Sequence, residues 1–213
     1  MRDSEHLCGL FGGTFDPFHY GHLTPVKAVF RAAALARVIY IPAAVPPHRP
    51  QPSAGAADRL AMTRIGLAGE ADFEVDDIEL KRPGQSYTLD TLQDLRRQNP
   101  RQRYALLVGL DVLIGLETWH RWEELQRSVH IIAISRPGWR APQPLPAWWR
   151  AARVESSAGL RHAQTGKILV AETAPVAISA TRVRARIRAE GDPGDWVPPG
   201  VRDYICKHNL YAG

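Results

Sequence analysis

Short aliphatic or β-branched runs recur along the chain, at Leu7 to Phe11, Val38 to Ile41, Phe73 to Ile78, Tyr104 to Val108, His130 to Ile134 and Lys167 to Ala171. Helix-length segments separate most of them. Apolar spacing there is helical at Leu23, Val26, Phe30 and Ala33 and at Leu89, Leu92 and Leu95, and less clean at Leu60, Ile65 and Leu67. Strands that alternate with helices predict an α/β fold with a mainly parallel sheet. Residues 136 to 166, rich in Pro, Arg and Trp, show no sustained period, and residues 43 to 58 read as a Pro-rich loop between a strand and a helix.

A chain of 213 residues with 45% apolar composition suits one domain, 1–213, in which 138–166 is a peripheral insertion and 179–213 a C-terminal helical part. The 27 Lys and Arg against 22 Asp and Glu give +5, which suits binding of phosphates but is too small for a general nucleic-acid surface. Cys8 and Cys206 are too few for a disulfide framework, and both read as buried small hydrophobes. The start "MRDSEHLCGLFGG" is not a signal peptide, and "AVFRAAALARVIYIPAAV" is broken by Arg31 and Arg37, so the expectation is a cytoplasmic protein with no membrane partner.

The densest chemistry lies at the end of the first strand, in "FGGTFDPFHYGH", residues 11 to 22. In an open parallel sheet, ligands bind where strand ends lead into helices. Gly12 and Gly13 permit close backbone approach, and a helix starting near Gly21 or His22 offers unpaired N–H groups to phosphate, with Pro25 expected in its first turn. No G-x-G-x-x-G or G-x-x-x-x-G-K-[ST] occurs, which disfavours a dinucleotide-binding dehydrogenase or a P-loop ATPase. Two histidines three apart could by themselves be structural groups or half of a metal site.

The second informative stretch is "ISATRVRARIRAEG", residues 178 to 191. Ser179 is a candidate N-cap, Val183 and Ile187 form an apolar stripe, and Gly191 closes the segment. At about 100° per residue the four arginines do not form one patch. Only Arg182 lies in the first turn, so it is the candidate phosphate ligand, and Arg184, Arg186 and Arg188 read as solvated surface.

"GTFDPFHYGH" followed far downstream by "ISATRVR" resembles the HxGH and ISSTxxR signature pair of the nucleotidylyltransferase superfamily. The stretches "PAAVPPHRPQP", "ELKRPGQSYTLDTL", "LLVGLD", "ETWHRW", "SRPG" and the final "VRDYICKHNLY" are similar to successive motifs of the bacterial nicotinate-nucleotide adenylyltransferases, over nearly the whole chain. Two positions depart from the pattern. Ala180 stands where Ser is frequent, which removes one hydroxyl contact, and Leu110 stands where a smaller residue is expected.

The resemblance implies a Rossmann-like open sheet with helices on both faces, and transfer of AMP from ATP to nicotinate mononucleotide with release of pyrophosphate. The implied catalytic residues are His19, His22 and Arg182, with Gly12, Gly13, Thr14, Phe15, Asp16, Gly109, Asp111, Ser179 and Thr181 on ATP. Asp16 would orient its loop, touch the metal indirectly or cap its own turn; Asp111 would accept from ribose hydroxyls or cap a helix. His48, Tyr87, Thr88, Trp119 and Arg136 are implied for nicotinate mononucleotide, and Trp122 is read as a core aromatic. Mg²⁺ would ride mainly on the ATP phosphates and waters, with no metal ligand from the protein.

Other readings stay open: an adenylyltransferase of the pantetheine-phosphate type, a hydrolytic metalloenzyme built on His19, His22 and Asp16, or a non-catalytic nucleotide sensor. A homo-oligomer also stays open, and no nucleic-acid partner is expected.

Overall fold

A computed structural model describes residues 6–44, 51–135, 138–174 and 176–212. In chain order the elements are β1 (Leu7–Gly13), α1 (Tyr20–Ala32), β2 (Arg37–Pro42), α2 (Ala56–Gly66), β3 (Phe73–Val75), α3 (Ile78–Lys81), α4 (Thr88–Gln98) and β4 (Arg103–Gly109). Then follow α5 (Leu110–Ile114), α6 (Trp122–Ser128), β5 (His130–Ile134), α7 (Ala147–Ala152), β6 (Arg153–Val154), α8 (Ser157–His162), β7 (Ile168–Ala171), α9 (Ala180–Glu190) and α10 (Pro199–Lys207). Single 3₁₀ turns occupy Leu116–Thr118 and Gly194–Trp196.

The fold is α/β and Rossmann-like. Seven strands form one sheet in the order β3-β2-β1-β4-β5-β7-β6. The pairs β1–β4, β4–β5, β5–β7 and β6–β7 are all parallel, with Leu10 beside Leu106 and Leu106 beside Ile131. The order reverses at β1, with β2 on one side and β4 on the other. β5 is buried throughout, and its unbroken apolar sequence suits a strand covered on both faces.

The backbone clusters into two compact units. One comprises the described residues within Met1–Phe11, Pro25–Ile39 and Tyr87–Pro175; the other those within Gly12–Thr24, Tyr40–Ser86 and Val176–Gly213. In the first, Leu89, Leu92 and Leu95 of α4 are buried, so the spacing read from the sequence is the packed face. The second has an aromatic centre: Phe15 lies 5.8 Å from Phe18 and 5.9 Å from Tyr40, and Tyr40 lies 5.7 Å from Phe73.

Several local expectations change. The run at Phe73 to Ile78 is a strand only to Val75, because the Asp76 carboxylate accepts the Ile78 N–H at 2.9 Å and turns the chain into α3. Helix α1 begins at Tyr20, which moves Pro25 out of the first turn into the helix, where its missing N–H leaves the Gly21 carbonyl without its usual i+4 donor. The stretch without a period contains two six-residue helices, α7 and α8, and the edge strand β6, with Trp149 and Leu160 buried. Cys8 is buried as expected, but Cys206 is exposed, since α10 buries Val201 and Ile205 and the next residue falls on its outer face.

Candidate active site

The second unit holds the phosphate-binding candidates. Strand β1 ends at Gly12 and Gly13, and the loop that follows returns at His19 to begin α1. Gly12 is exposed, and the nearest atom to its ideal Cβ is the Ile41 carbonyl oxygen at 3.9 Å, an ordinary van der Waals contact. Gly13 has a different reason: a Cβ there would meet the Phe15 ring at 2.7 Å. Phe15 takes a left-handed φ of 51°, which turns its ring inward to 1% exposure, edge-on to His22 at 5.0 Å.

His19 and His22 come together. Their rings stack 3.7 Å apart at 18°, with His19 buried and His22 half-buried. The His19 N–H donates to His22 Nδ1 at 3.3 Å. A neutral imidazole that accepts at Nδ1 carries its proton at Nε2, so His22 presents a donor there. Between them, Gly21 cannot be anything larger: a Cβ would meet the Ile178 carbonyl oxygen at 2.6 Å and the His19 ring at 2.8 Å. This contact brings the two signature segments, distant in sequence, against each other.

Beyond Ile178, Ser179 caps α9 as expected, its Oγ accepting the Arg182 N–H at 3.3 Å and its hydroxyl proton remaining available to a ligand. Thr181 is exposed in the first turn. The arginines sort differently from the sequence reading. Arg182 folds back to donate to the Ala177 carbonyl and packs 4.9 Å from the Trp196 ring centre, a ring it shares with Arg186 at the same distance. Arg184 is not solvated surface: its side chain is 21% exposed, and Nη1 donates to the Asp16 main-chain carbonyl at 2.6 Å and lies 3.6 Å from the Asp16 carboxylate. Direction around the helix, not position in the first turn, decides which cation faces the Asp16 loop. ISSTxxR, aligned on Ile178 to Thr181, also puts its arginine at 184.

Asp16 neither caps its own turn nor opens to solvent. At 5% exposure it accepts the Ser53 N–H at 2.7 Å, the Ala54 N–H at 3.0 Å and the Tyr211 hydroxyl at 2.8 Å. Beside it, buried Arg59 donates to the carbonyls of Thr14 at 2.8 Å, Ala43 at 2.7 Å and Ala44 at 3.0 Å, fixing the backbone of the loop. Burial lowers the Arg59 pKa, and the Asp16 carboxylate opposes that shift. Arg59 and Tyr211 were not found from sequence, where a lone arginine in a weak helical pattern carries no signal.

The first unit holds the remaining candidates. Gly109 ends β4 and caps α5, which places Asp111 inside that helix and excludes the N-cap reading. Leu110, larger than the family pattern expects, is 3% exposed and fills core. Thr88 begins α4, and Tyr87, its N-cap, makes no side-chain capping bond. The Tyr87 ring stacks on His120 at 4.2 Å, a partner the sequence reading missed although it stands within "ETWHRW". Trp119 is half-buried after the first 3₁₀ turn. Trp122 is only partly buried and lies 5.3 Å from Trp148, so it is not a core aromatic; Trp149, at 1% exposure, is. His48 and Arg136 lie outside the described residues. Among the described residues no group of three or more His, Cys, Asp or Glu is placed to hold a metal ion, and no helix is long and apolar enough to cross a membrane.

The pattern of the cytidylyltransferase-like family matches residues 10–186, which takes in both signature segments. The chain is 42% identical over 205 residues to a "Probable nicotinate-nucleotide adenylyltransferase" of Aeromonas hydrophila, covering 95% of this chain and 96% of that one. It belongs to the nicotinate-nucleotide adenylyltransferase family. A nicotinate-nucleotide adenylyltransferase relative from Serratia proteamaculans, also named as probable, is 41% identical over 214 residues, covering 99% and 97% of the two chains. The fold is shared with a Plasmodium falciparum nicotinic acid mononucleotide adenylyltransferase complexed with NaAD, at a TM-score of 0.73 and 18% identity over 97% of each chain.

Proposed function

We propose that this chain transfers the adenylyl group of ATP to the phosphate of nicotinate mononucleotide, forming nicotinate adenine dinucleotide and pyrophosphate in NAD biosynthesis. One observation carries the reading: Gly21, without a side chain, seats the Ile178 carbonyl against the stacked histidines, so that the start of α9 lies beside the HxGH loop. The family's named activity supports it.

The attacking group is a phosphate oxygen that is already anionic, so the protein needs no nucleophile of its own. It attacks the α-phosphorus in line, the bond to the bridging oxygen breaks, and pyrophosphate leaves with the electron pair. What the protein supplies is alignment and charge neutralisation. Orientation of two bound reactants can remove about 7–11 kcal/mol of barrier. His22 Nε2–H and His19 donate to the phosphates, while the first-turn N–H groups of α9, with Ser179 and Thr181, hold the leaving pyrophosphate. Arg184 supplies the cation in the role first assigned to Arg182. Gly12, Gly13 and Thr14 lie along the nucleotide as backbone, and Phe15 and Asp16 shape the loop. Gly109 and Asp111 serve the adenosine ribose; Tyr87, Thr88 and Trp119 serve the pyridine ring, with His48 and Arg136 on the acceptor phosphate. Mg²⁺ arrives with ATP as part of the substrate.

The test is pyrophosphate release from ATP with nicotinate mononucleotide, nicotinamide mononucleotide and phosphopantetheine as acceptors, with chelator controls. Release with nicotinate mononucleotide, abolished by chelator, is expected. Release with phosphopantetheine alone, or with no acceptor in the panel, sinks the reading.

A further inference from the structure

Asp16 has more partners than any step of adenylyl transfer requires. Three segments far apart in sequence converge on it: Ser53 and Ala54 through their N–H groups, Arg184 of α9 through its guanidinium, and Tyr211 through its hydroxyl. The carboxylate lies three residues before His19, in the loop that brings the histidines to α1. Tyr211 reaches it by a strained path. It and Asn209 hold φ of 66° and 48°, in the left-handed region that disfavours side chains. Such backbone persists only where the surroundings over-determine it, and a hydroxyl bonded at 2.8 Å to a buried carboxylate is a contact able to do so. Burial, then the adjacent Asp16 charge, raises the Tyr211 pKa, so the phenol stays protonated as the donor.

We propose that Tyr211 is a positioning residue for adenylyl transfer: its hydroxyl takes up part of the Asp16 carboxylate charge at Oδ1, so Arg184, anchored through Nη1 on the Asp16 main-chain carbonyl, stays loosely paired with the carboxylate and keeps its other N–H groups for the nucleotide phosphates. This rests on the adenylyl-transfer reading above. At 3.6 Å the Arg184–Asp16 carboxylate contact is longer than a charge-assisted hydrogen bond, which runs near 2.7–2.9 Å. Without the tyrosine donor, Oδ1 keeps the Ala54 N–H and Oδ2 the Ser53 N–H, and the carboxylate carries more uncompensated charge beside the Arg184 guanidinium at Oδ2. That guanidinium closes on the carboxylate. The pair that results withholds the cation from ATP and shifts the loop carrying His19 and His22.

The experiment is steady-state kinetics and thermal melting of Tyr211→Phe beside Tyr204→Phe. Tyr204 is a matched control, since its hydroxyl donates to a carboxylate at a similar distance, 2.9 Å, but ties α10 to α2 through Asp58 rather than through Asp16. In Tyr211→Phe, kcat/KM for ATP is expected to fall roughly tenfold, the scale of one hydrogen bond to a charged group. KM for nicotinate mononucleotide should stay within about twofold, because the loss acts on the ATP side alone. Tyr204→Phe should melt at a temperature similar to Tyr211→Phe and keep wild-type kinetics. Wild-type kinetics in folded Tyr211→Phe overturns the proposal. So does a rise in both KM values together, or an equal activity loss in Tyr204→Phe, which would mark a purely structural role. Wild-type protein that releases no pyrophosphate fails at the earlier step and overturns the adenylyl-transfer reading, with this proposal following it.

Discussion

Arg182 and Arg184 stand two residues apart, roughly 200° around α9, and that angle separates a cation over Trp196 from a cation on the Asp16 loop. Arg184→Ala is therefore expected to lower kcat/KM for ATP by about 10²–10³, the usual loss on removing one preorganised partner of transition-state charge, and Arg182→Ala by far less. Steady-state kinetics of the two variants decide it; a larger loss at 182 would restore the first-turn assignment. His22→Ala should fold normally, because its ring is half-buried, and should lose a similar factor in kcat as its Nε2 donor disappears. A His22→Ala protein with near-normal kcat contradicts the donor role. Gly21→Ala has a different signature. Its methyl would strike a backbone oxygen at 2.6 Å, so both thermal stability and kcat should fall, even though Ala favours helix. A melting temperature at or above wild type would mean that the two segments are not held as tightly as the contact shows.

Among the elements, α4 and α2 show how a helix serves the site by its end or by its face. α4 opens at Thr88, and its N-cap residue makes no side-chain capping bond, so the first-turn N–H groups are donors without a side-chain acceptor from that residue. Donors favour a carboxylate over an amide, whose NH₂ would face another donor. Nicotinate mononucleotide should accordingly be preferred to its amide by roughly 5- to 150-fold in kcat/KM, the range for one buried polar group left unpaired. Equal values for the two mononucleotides under one ATP and Mg²⁺ condition would remove α4 from the acceptor pocket while leaving adenylyl transfer in place. α2 works by its face. The residues it buries are Arg59, Met62, Thr63 and Gly66, which explains why its apolar period read poorly. One position of the stripe is a cation that ties three loop carbonyls, another is a hydroxyl bonded to the Arg59 carbonyl at 2.7 Å, and a third is glycine.

At the scale of the whole molecule, stability rests in part on a buried histidine of the first unit. His130 of β5 is fully buried; it accepts the Lys167 N–H at Nδ1 and lies 3.2 Å from the Ala163 carbonyl at Nε2, as a neutral ring does. Burial foremost, and then the Arg103 guanidinium, push its pKa from 6.5 down to about 4. Between those values the unfolded chain binds a proton that the folded chain does not. Stability therefore declines as pH falls from about 6.5 towards 4, by on the order of 2–3 kcal/mol in all. Thermal melts across that range should show the loss, and His130→Gln should flatten it; an unchanged slope in the variant would assign the acid sensitivity to other groups.

Periodicity, capping and motif order are local properties, and they were enough to find the alternating architecture, the buried face of α4, the Ser179 cap and the two signature segments. Each needs only neighbours within a turn or a strand. The short strand β6 and helices α7 and α8 escaped because elements of two to six residues carry too few positions to show a period. The functional partners of Asp16 escaped for another reason. Ser53, Arg184 and Tyr211 meet it from 37, 168 and 195 residues away, and no spacing rule links such separations. The same holds for the two arginines of α9: the sequence by itself determined that both are on the helix, and only packing of the Val183 and Ile187 stripe into the core determined which of them turned toward the loop. Direction around a helix becomes a fact about the site only when its buried face has been docked, and docking is a tertiary event.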